Sequence, residues 1–297
     1  MNRSEMTPQA DANGLQVPAS IPVPVPAPVP APVLASVAPP CIGVFDSGVG
    51  GLSVLRELHR RLPGTALTYV GDAAHAPYGP RPAGEVLARC ERIVGHLADQ
   101  GAELIVVACN TATVHAIETL RARWPALRFV GVEPGVKPGV ARSRTGRIAV
   151  MATCATVRSA RMRRLLEHHA QGVHVHLQPC PGLAEAIEQG ALDGTVLSNV
   201  LAPYCDRIRT ADVDTVVLAC THYPFVAAEI QRQLGSGVVL IDTAAAVAEQ
   251  AASVWTEAQS MPAPPLRVQS TGSMLTMQRL LLECAGFETV QVNALAL

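Results

Sequence analysis

Short apolar runs alternate with amphipathic helical patterns from residue 41 to about residue 250, and no other feature of the sequence constrains the fold as much. "CIGVFD" (41–46) reads as a strand and "GLSVLRELHRRL" (51–62) as a helix with one apolar face. "ALTYVGD" (66–72) is a strand, and "AGEVLARCERIVGHLADQG" (83–101) is a long helix with Gly101 past its end. "ELIVVAC" (103–109), a helix, and "LRFVGVEP" (127–134) continue the series. "RIAVMAT" (147–153), "VHVHLQP" (173–179), "TVVLAC" (215–220) and "GVVLIDT" (237–243) follow, each leading into a helical pattern. Strands alternating with helices of this length predict an α/β fold with mostly parallel sheets, wound through right-handed crossovers.

The pattern is also doubled. "IGVFDS" at 42 matches "IAVMAT" at 148, "IVVACNT" at 105 matches "VVLACTH" at 216, and "FVGVEP" at 129 matches "VVLIDT" at 238. The near-constant offset predicts two related lobes. Ligands of open α/β sheets bind beyond the carboxyl ends of the strands. The residues there are polar ones that a buried strand does not need: Asp46-Ser47, Cys109-Asn110-Thr111, Thr153 and Cys220-Thr221-His222. A helix follows each, and its first N–H groups suit a carboxylate. The pattern predicts a site for a small acidic molecule with two thiols aimed at it.

Composition narrows the function. Net charge is −1 with scattered basic residues, so no nucleic-acid partner is expected. No uninterrupted apolar stretch reaches the ~20 residues of a membrane helix. Residues 1–40 are dominated by Pro, Ala and Val and make a poor secretory signal; a disordered extension is expected there. A reducing cytoplasm is then the default compartment, without disulfides. No C-x-x-C pair is present, and Cys41, Cys90, Cys154, Cys180, Cys205 and Cys284 read as small core residues.

Two thiols on opposite sides of one carbon could remove a proton as thiolate and return one as thiol, inverting a stereocentre with no cofactor and no metal. Asp46 and His222 are candidate proton handlers for Cys109 and Cys220 respectively. Other readings compete. Pyridoxal phosphate would need a Schiff-base lysine, and Lys137 is the single lysine. "GVGG" (48–51) could cradle a phosphate, but it lacks the P-loop Lys, and Ser53 stands where a dinucleotide fingerprint has its third Gly. Its plainer role is a tight strand-to-helix turn. A metal site lacks a closing ligand set, and a cysteine hydrolase leaves one thiol unexplained.

Five ordered motifs, "FDSGVGGLSV" (45–54), "APYGPR" (76–81), "ACNTAT" (108–113), "TVRS" (156–159) and "ACTHYPF" (219–225), together resemble the glutamate racemases of the aspartate/glutamate racemase family. "GVEPGVKPGV" (131–140) resembles that family's connector. The resemblance implies two pseudo-symmetric α/β lobes with the active site between them: residues 41–134 plus 244–297, and residues 135–243. The sequence alone suggests a simple split near 140. The resemblance further implies that Cys109 deprotonates the D-isomer with help from Asp46. Cys220 would deprotonate the L-isomer with help from His222 and Glu188, Glu185 being the rival for the last role. Substrate would be held by Asp46, Ser47, Tyr78, Gly79, Asn110, Thr111, Thr153, Thr221 and His222. Glutamate is the implied substrate and peptidoglycan synthesis the implied destination of D-glutamate. Dimers are common in the family, so a homodimer is an expectation. Met162 and Gly139 depart from the usual pattern, which more often has an aromatic and Ala there. A sister racemase acting on aspartate or a hydantoin, a maleate-isomerase-like enzyme and a non-catalytic binding module are the alternatives.

Overall fold

The structure, a computed structural model, describes residues 40–256 and 265–297. All but the last residue of the expected disordered extension, 1–40, lies outside these residues. Among the described residues, ten strands form two sheets. The first sheet contains β1 (Cys41–Asp46), β2 (Ala66–Gly71), β3 (Ala102–Val107) and β4 (Arg128–Gly131). The second contains β5 (Arg147–Ala152), β6 (His174–Pro179), β7 (Thr215–Leu218) and β8 (Val239–Ile241). β9 (Arg267–Ser270) and β10 (Val292–Ala294) return to the first sheet, β9 beside β2 and β10 beside β9.

Every strand pair is parallel. The strand order is β10-β9-β2-β1-β3-β4 in one sheet and β6-β5-β7-β8 in the other. β2-β1-β3-β4 and β6-β5-β7-β8 are the same order, so the sequence repeat reappears as a repeat of topology. Both sheets belong to one compact unit.

Each sheet is buried on both faces, as parallel sheets must be. Successive residues of one strand point to opposite layers. Ile42 and Val44 of β1 pack with the helix α1 (Leu52–Arg61), whereas Cys41 and Phe45 pack with α2 (Ala83–Asp99) and α3 (Asn110–Arg123). α1 shows why its sequence is helical and where it sits: Leu52, Leu55 and Leu58 recur every three residues on the buried face, while Arg56, Arg60 and Arg61 face outward. The second sheet repeats the layering, with Met151 and Leu218 toward one side and Val150 and Val217 toward the other. Gly139 has a local reason here, because a β-carbon would come within 2.5 Å of Val217 Cγ2. Met162 is fully buried beside it in the same layer.

The cysteines divide differently from the sequence reading. Cys41, Cys90, Cys180 and Cys205 are buried, but Cys154 and Cys284 are only half-buried. Cys154 opens a short helix just past β5, so it lines the outside of the cleft instead of a core.

Candidate active site

The carboxyl ends of β1 and β3 meet those of β5 and β7 around one small cavity. Ser47, Tyr78, Gly79, Cys109, Asn110, Thr111, Thr153, Cys220, Thr221 and His222 all line it, with Pro77 and Ala184. Of the residues expected from the sequence, only Asp46 and Glu188 stand one layer back. The cavity volume is about 10 Å³, room for about a single water. A ligand of amino-acid size therefore needs the cavity to widen.

Cys109 follows β3 and caps α3, its Sγ accepting from the Ala112 N–H at 3.4 Å. The Sγ also lies 3.9 Å from Ser47 Oγ, which is 3.4 Å from Asp46 Oδ1. Burial and the charge of Asp46 push the Cys109 thiol well above its ordinary pKa. Asp46 is itself fully buried at the end of β1. Its Oδ1 accepts the Gly48 N–H at 2.9 Å and its Oδ2 the Thr221 hydroxyl at 3.1 Å. Burial raises its pKa, although the charge of His222 and the Gly48 N–H oppose this.

Across the cavity, Cys220 Sγ is 3.7 Å from His222 Nδ1, and His222 Nε2 is 2.5 Å from Glu188 Oε1. Burial disfavours a charged ring, but Cys220 and Glu188 outweigh it and hold the pKa of His222 well above its usual value. A doubly protonated ring donates at both nitrogens, to Glu188 and to the Cys220 sulfur. Glu188 closes the helix Leu183–Glu188, while Glu185 on the same helix is exposed. The fold thus brings Glu188, and not its rival, to His222. Ligand atoms of Asp46, Glu188 and His222 lie within 4.8 Å of one another. The shortest contact among them is the Glu188–His222 hydrogen bond, so a shared proton already holds that pair together.

Asn110 carries a different signal. Both its Oδ1 and its Nδ2 are buried without a hydrogen-bond partner. Leaving such groups unsatisfied costs about 1–3 kcal/mol each, so the side chain is set up for a polar ligand. Thr111 Oγ1 and Thr153 Oγ1 meet at 3.1 Å across the cleft. The Tyr78 hydroxyl is not free, because it donates to Asp72 Oδ2 at 2.6 Å. Only the ring and main chain of Tyr78 remain for a ligand.

The sequence profile of Asp/Glu/hydantoin racemases matches residues 42–251, and so covers β1 to β8 and every residue of the cavity. The chain belongs to the Asp/Glu/hydantoin racemase family. Among curated relatives, the glutamate racemase of Ectopseudomonas mendocina is 45% identical over 255 residues, 85% of this chain and 97% of that protein. That of Pseudomonas aeruginosa (strain UCBPP-PA14) is 48% identical over 72% of this chain and 81% of that protein. Among solved structures, glutamate racemase isoform RacE1 of Bacillus anthracis aligns with TM-score 0.78 at 29% identity, over 86% of this chain and 97% of that one. The Escherichia coli glutamate racemase, described in complex with L-glutamate and the activator UDP-MurNAc-ala, aligns with TM-score 0.73 at 30% identity. That alignment covers 87% of this chain and all of the other. The resemblance read from the five motifs and the α/β two-sheet expectation are both borne out for this racemase.

Asp72 was missed by the sequence reading. It immediately follows β2, as Asp46 closes β1, so the same strand-end signal was available. Its carboxylate takes hydrogen bonds from Arg89, Tyr78 and Thr271 and thereby holds the Pro77–Gly79 wall of the cavity.

Proposed function

We propose that the protein interconverts L- and D-glutamate with two thiols, one removing the α-proton and the other delivering a proton to the opposite face, with no cofactor. As a member of its family it is an amino-acid racemase. The observation that carries the two-thiol reading is that Cys109 and Cys220 line one cavity from matching strand ends of two sheets. Glutamate as substrate is supported by the relatives above, all of them glutamate racemases.

In this mechanism Cys220 begins as a thiolate accepting from the His222 imidazolium, and Cys109 as a neutral thiol kept protonated by its burial. The Cys220 thiolate removes the α-proton of L-glutamate. The Cys109 thiol delivers its proton to the opposite face, giving D-glutamate, a Cys109 thiolate and a Cys220 thiol. The reverse reaction, or exchange with solvent, resets the pair. Asp46 assists Cys109 through the Ser47 hydroxyl between them, and Glu188 assists Cys220 through His222. The N-terminus of α3 and the amide of Asn110 receive substrate polar groups, with Thr111, Thr153, Thr221 and the main chain at Gly79 completing the contacts.

Residues 41–134 plus 244–297 and residues 135–243 serve as the two lobes that part to admit substrate. From the family resemblance we add a cytoplasmic homodimer that supplies D-glutamate for peptidoglycan. Among the described residues no helix is long and apolar enough to cross a membrane. Polarimetric assays of L-glutamate and L-aspartate under identical conditions test the substrate. Rapid loss of optical rotation with glutamate alone is expected; preferential turnover of aspartate overturns the assignment.

A further inference from the structure

The turn Gly48-Val49-Gly50-Gly51 joins β1 to α1, and the sequence offers two readings of it: a phosphate cradle or a tight turn. The structure points elsewhere. None of the three glycines has a positive φ, so none is needed for backbone freedom. Each is instead pressed by a side chain. A β-carbon on Gly48 would land on Glu188 Oε1, and one on Gly50 would overlap His222 Nδ1 and come within 2.6 Å of Thr221 Oγ1. One on Gly51 would come within 2.7 Å of Asp46 Cβ. Polar contacts tie the same turn to the second sheet. The Val49 N–H donates to Glu188 Oε1 at 2.8 Å, and Ser53 Oγ lies 3.3 Å from the Thr221 carbonyl oxygen.

We propose that this turn is the seat of the Glu188–His222 relay. Gly48 and Gly50 leave the space the two side chains occupy, the Val49 N–H fixes Glu188, and Ser53 holds the Thr221 main chain beside His222. The inference rests on the racemase reading above and assigns these four as positioning residues for the Cys220 side of the reaction. The seat and the relay lie on different sheets. When the sheets part to admit substrate, Glu188 loses the Val49 N–H; when they close, His222 is pushed back toward Cys220. Closure and assembly of the Cys220 base are then one event.

The test uses the full-length protein with glutamate, comparing wild type, Gly50→Ala, Ser53→Ala and Gly95→Ala. Gly95 lies in α2 with nothing within 4 Å of its would-be β-carbon, and serves as the glycine control. Displacing the ring in Gly50→Ala should lower kcat about 100-fold, with a smaller change in KM. Because L- and D-glutamate are equal in free energy, kcat/KM must fall equally in both directions. The side-specific defect appears only in isotope effects. The primary effect should rise for α-deuterated L-glutamate, whose proton goes to Cys220, and shrink for α-deuterated D-glutamate. Ser53→Ala should move both effects the same way with a smaller rate loss, and it decides the matter should Gly50→Ala not fold. Gly95→Ala should match wild type. Wild-type rates and isotope effects in Gly50→Ala and Ser53→Ala, or effects shifted alike on both isomers, overturn the seat. A wild type inert toward glutamate instead overturns the racemase reading beneath it.

Discussion

Replacing Arg89 by Met tests how the wall of the cavity is held. Asp72 is fully buried and takes two hydrogen bonds from Arg89, Nε at 2.9 Å and Nη2 at 2.8 Å. Tyr78 and Thr271 donate to the same carboxylate at 2.6 and 2.7 Å, and Arg89 Nη1 reaches the Leu297 carbonyl oxygen at 3.0 Å. Methionine fills much of the space but leaves a buried carboxylate without its cation. Breaking a buried pair from one side costs about 3–5 kcal/mol. At about 2–4 °C per kcal/mol for a protein of this size, the melting temperature should fall by about 6–20 °C. Burial alone would raise the pKa of Asp72, but the bonds from Arg89, Tyr78 and Thr271 and the charge of Arg89 outweigh it and depress the pKa. A depressed carboxyl contributes stability above its unfolded pKa of about 3.9 and loses it as pH falls through the folded value. Without Arg89 only the Tyr78 and Thr271 bonds oppose burial, so the variant keeps less of the stability that the charged carboxylate contributes above about pH 4. Thermal melts followed by circular dichroism at pH 7 and pH 4 should show the gap wide at pH 7 and narrow at pH 4. KM for glutamate should also rise, since Tyr78 and Gly79 lose their anchor. A fall below about 3 °C at pH 7, or a gap unchanged at pH 4, refutes the reasoning.

Two further predictions concern the cavity itself. Glu188→Gln removes a charge that holds His222 protonated, so the alkaline limb of the kcat–pH profile should move to lower pH and kcat should drop by about 10²–10⁴; an unmoved limb contradicts the relay. Asn110→Ala should leave the melting temperature of the ligand-free protein unchanged or higher, because its amide has no partner to lose, while raising KM for glutamate; a destabilised apo protein with unaltered KM contradicts a role in binding.

Much of this was visible in the sequence, for a physical reason. A strand buried on both faces must be continuously apolar, so "GVFD", "IVVAC" and "VVLAC" announce themselves, and so do the polar residues at their ends. β9 and β10 do not. "RVQS" and "VNA" are short, partly exposed and of mixed polarity, and only the pairing of β9 with β2 and of β10 with β9 makes them strands. Arg89 was equally hidden. In a long amphipathic helix an arginine reads as a solvated one, and its burial follows from Asp72 across the fold. The family resemblance favoured Glu188 with Glu185 as a nearby rival; the helical turn that separates them decides which reaches His222. The glycines of the 48–51 turn were legible as a motif, but the purpose of Gly48 and Gly50 lies in side chains about 140 to 170 residues away, which no local pattern reveals.

Cys220 takes one proton from the α-carbon of L-glutamate while Cys109 supplies another to the opposite face, and the two thiols swap these roles for D-glutamate. The most direct measurement is proton NMR of L- and of D-glutamate in deuterated water with no added cofactor, for wild type, Cys109→Ser and Cys220→Ser. Wild type should wash deuterium into the α-position from either isomer while racemizing it, and each single substitution should severely reduce racemization. Wild-type racemization without α-deuterium, or undiminished racemization in either variant, contradicts the two-thiol account.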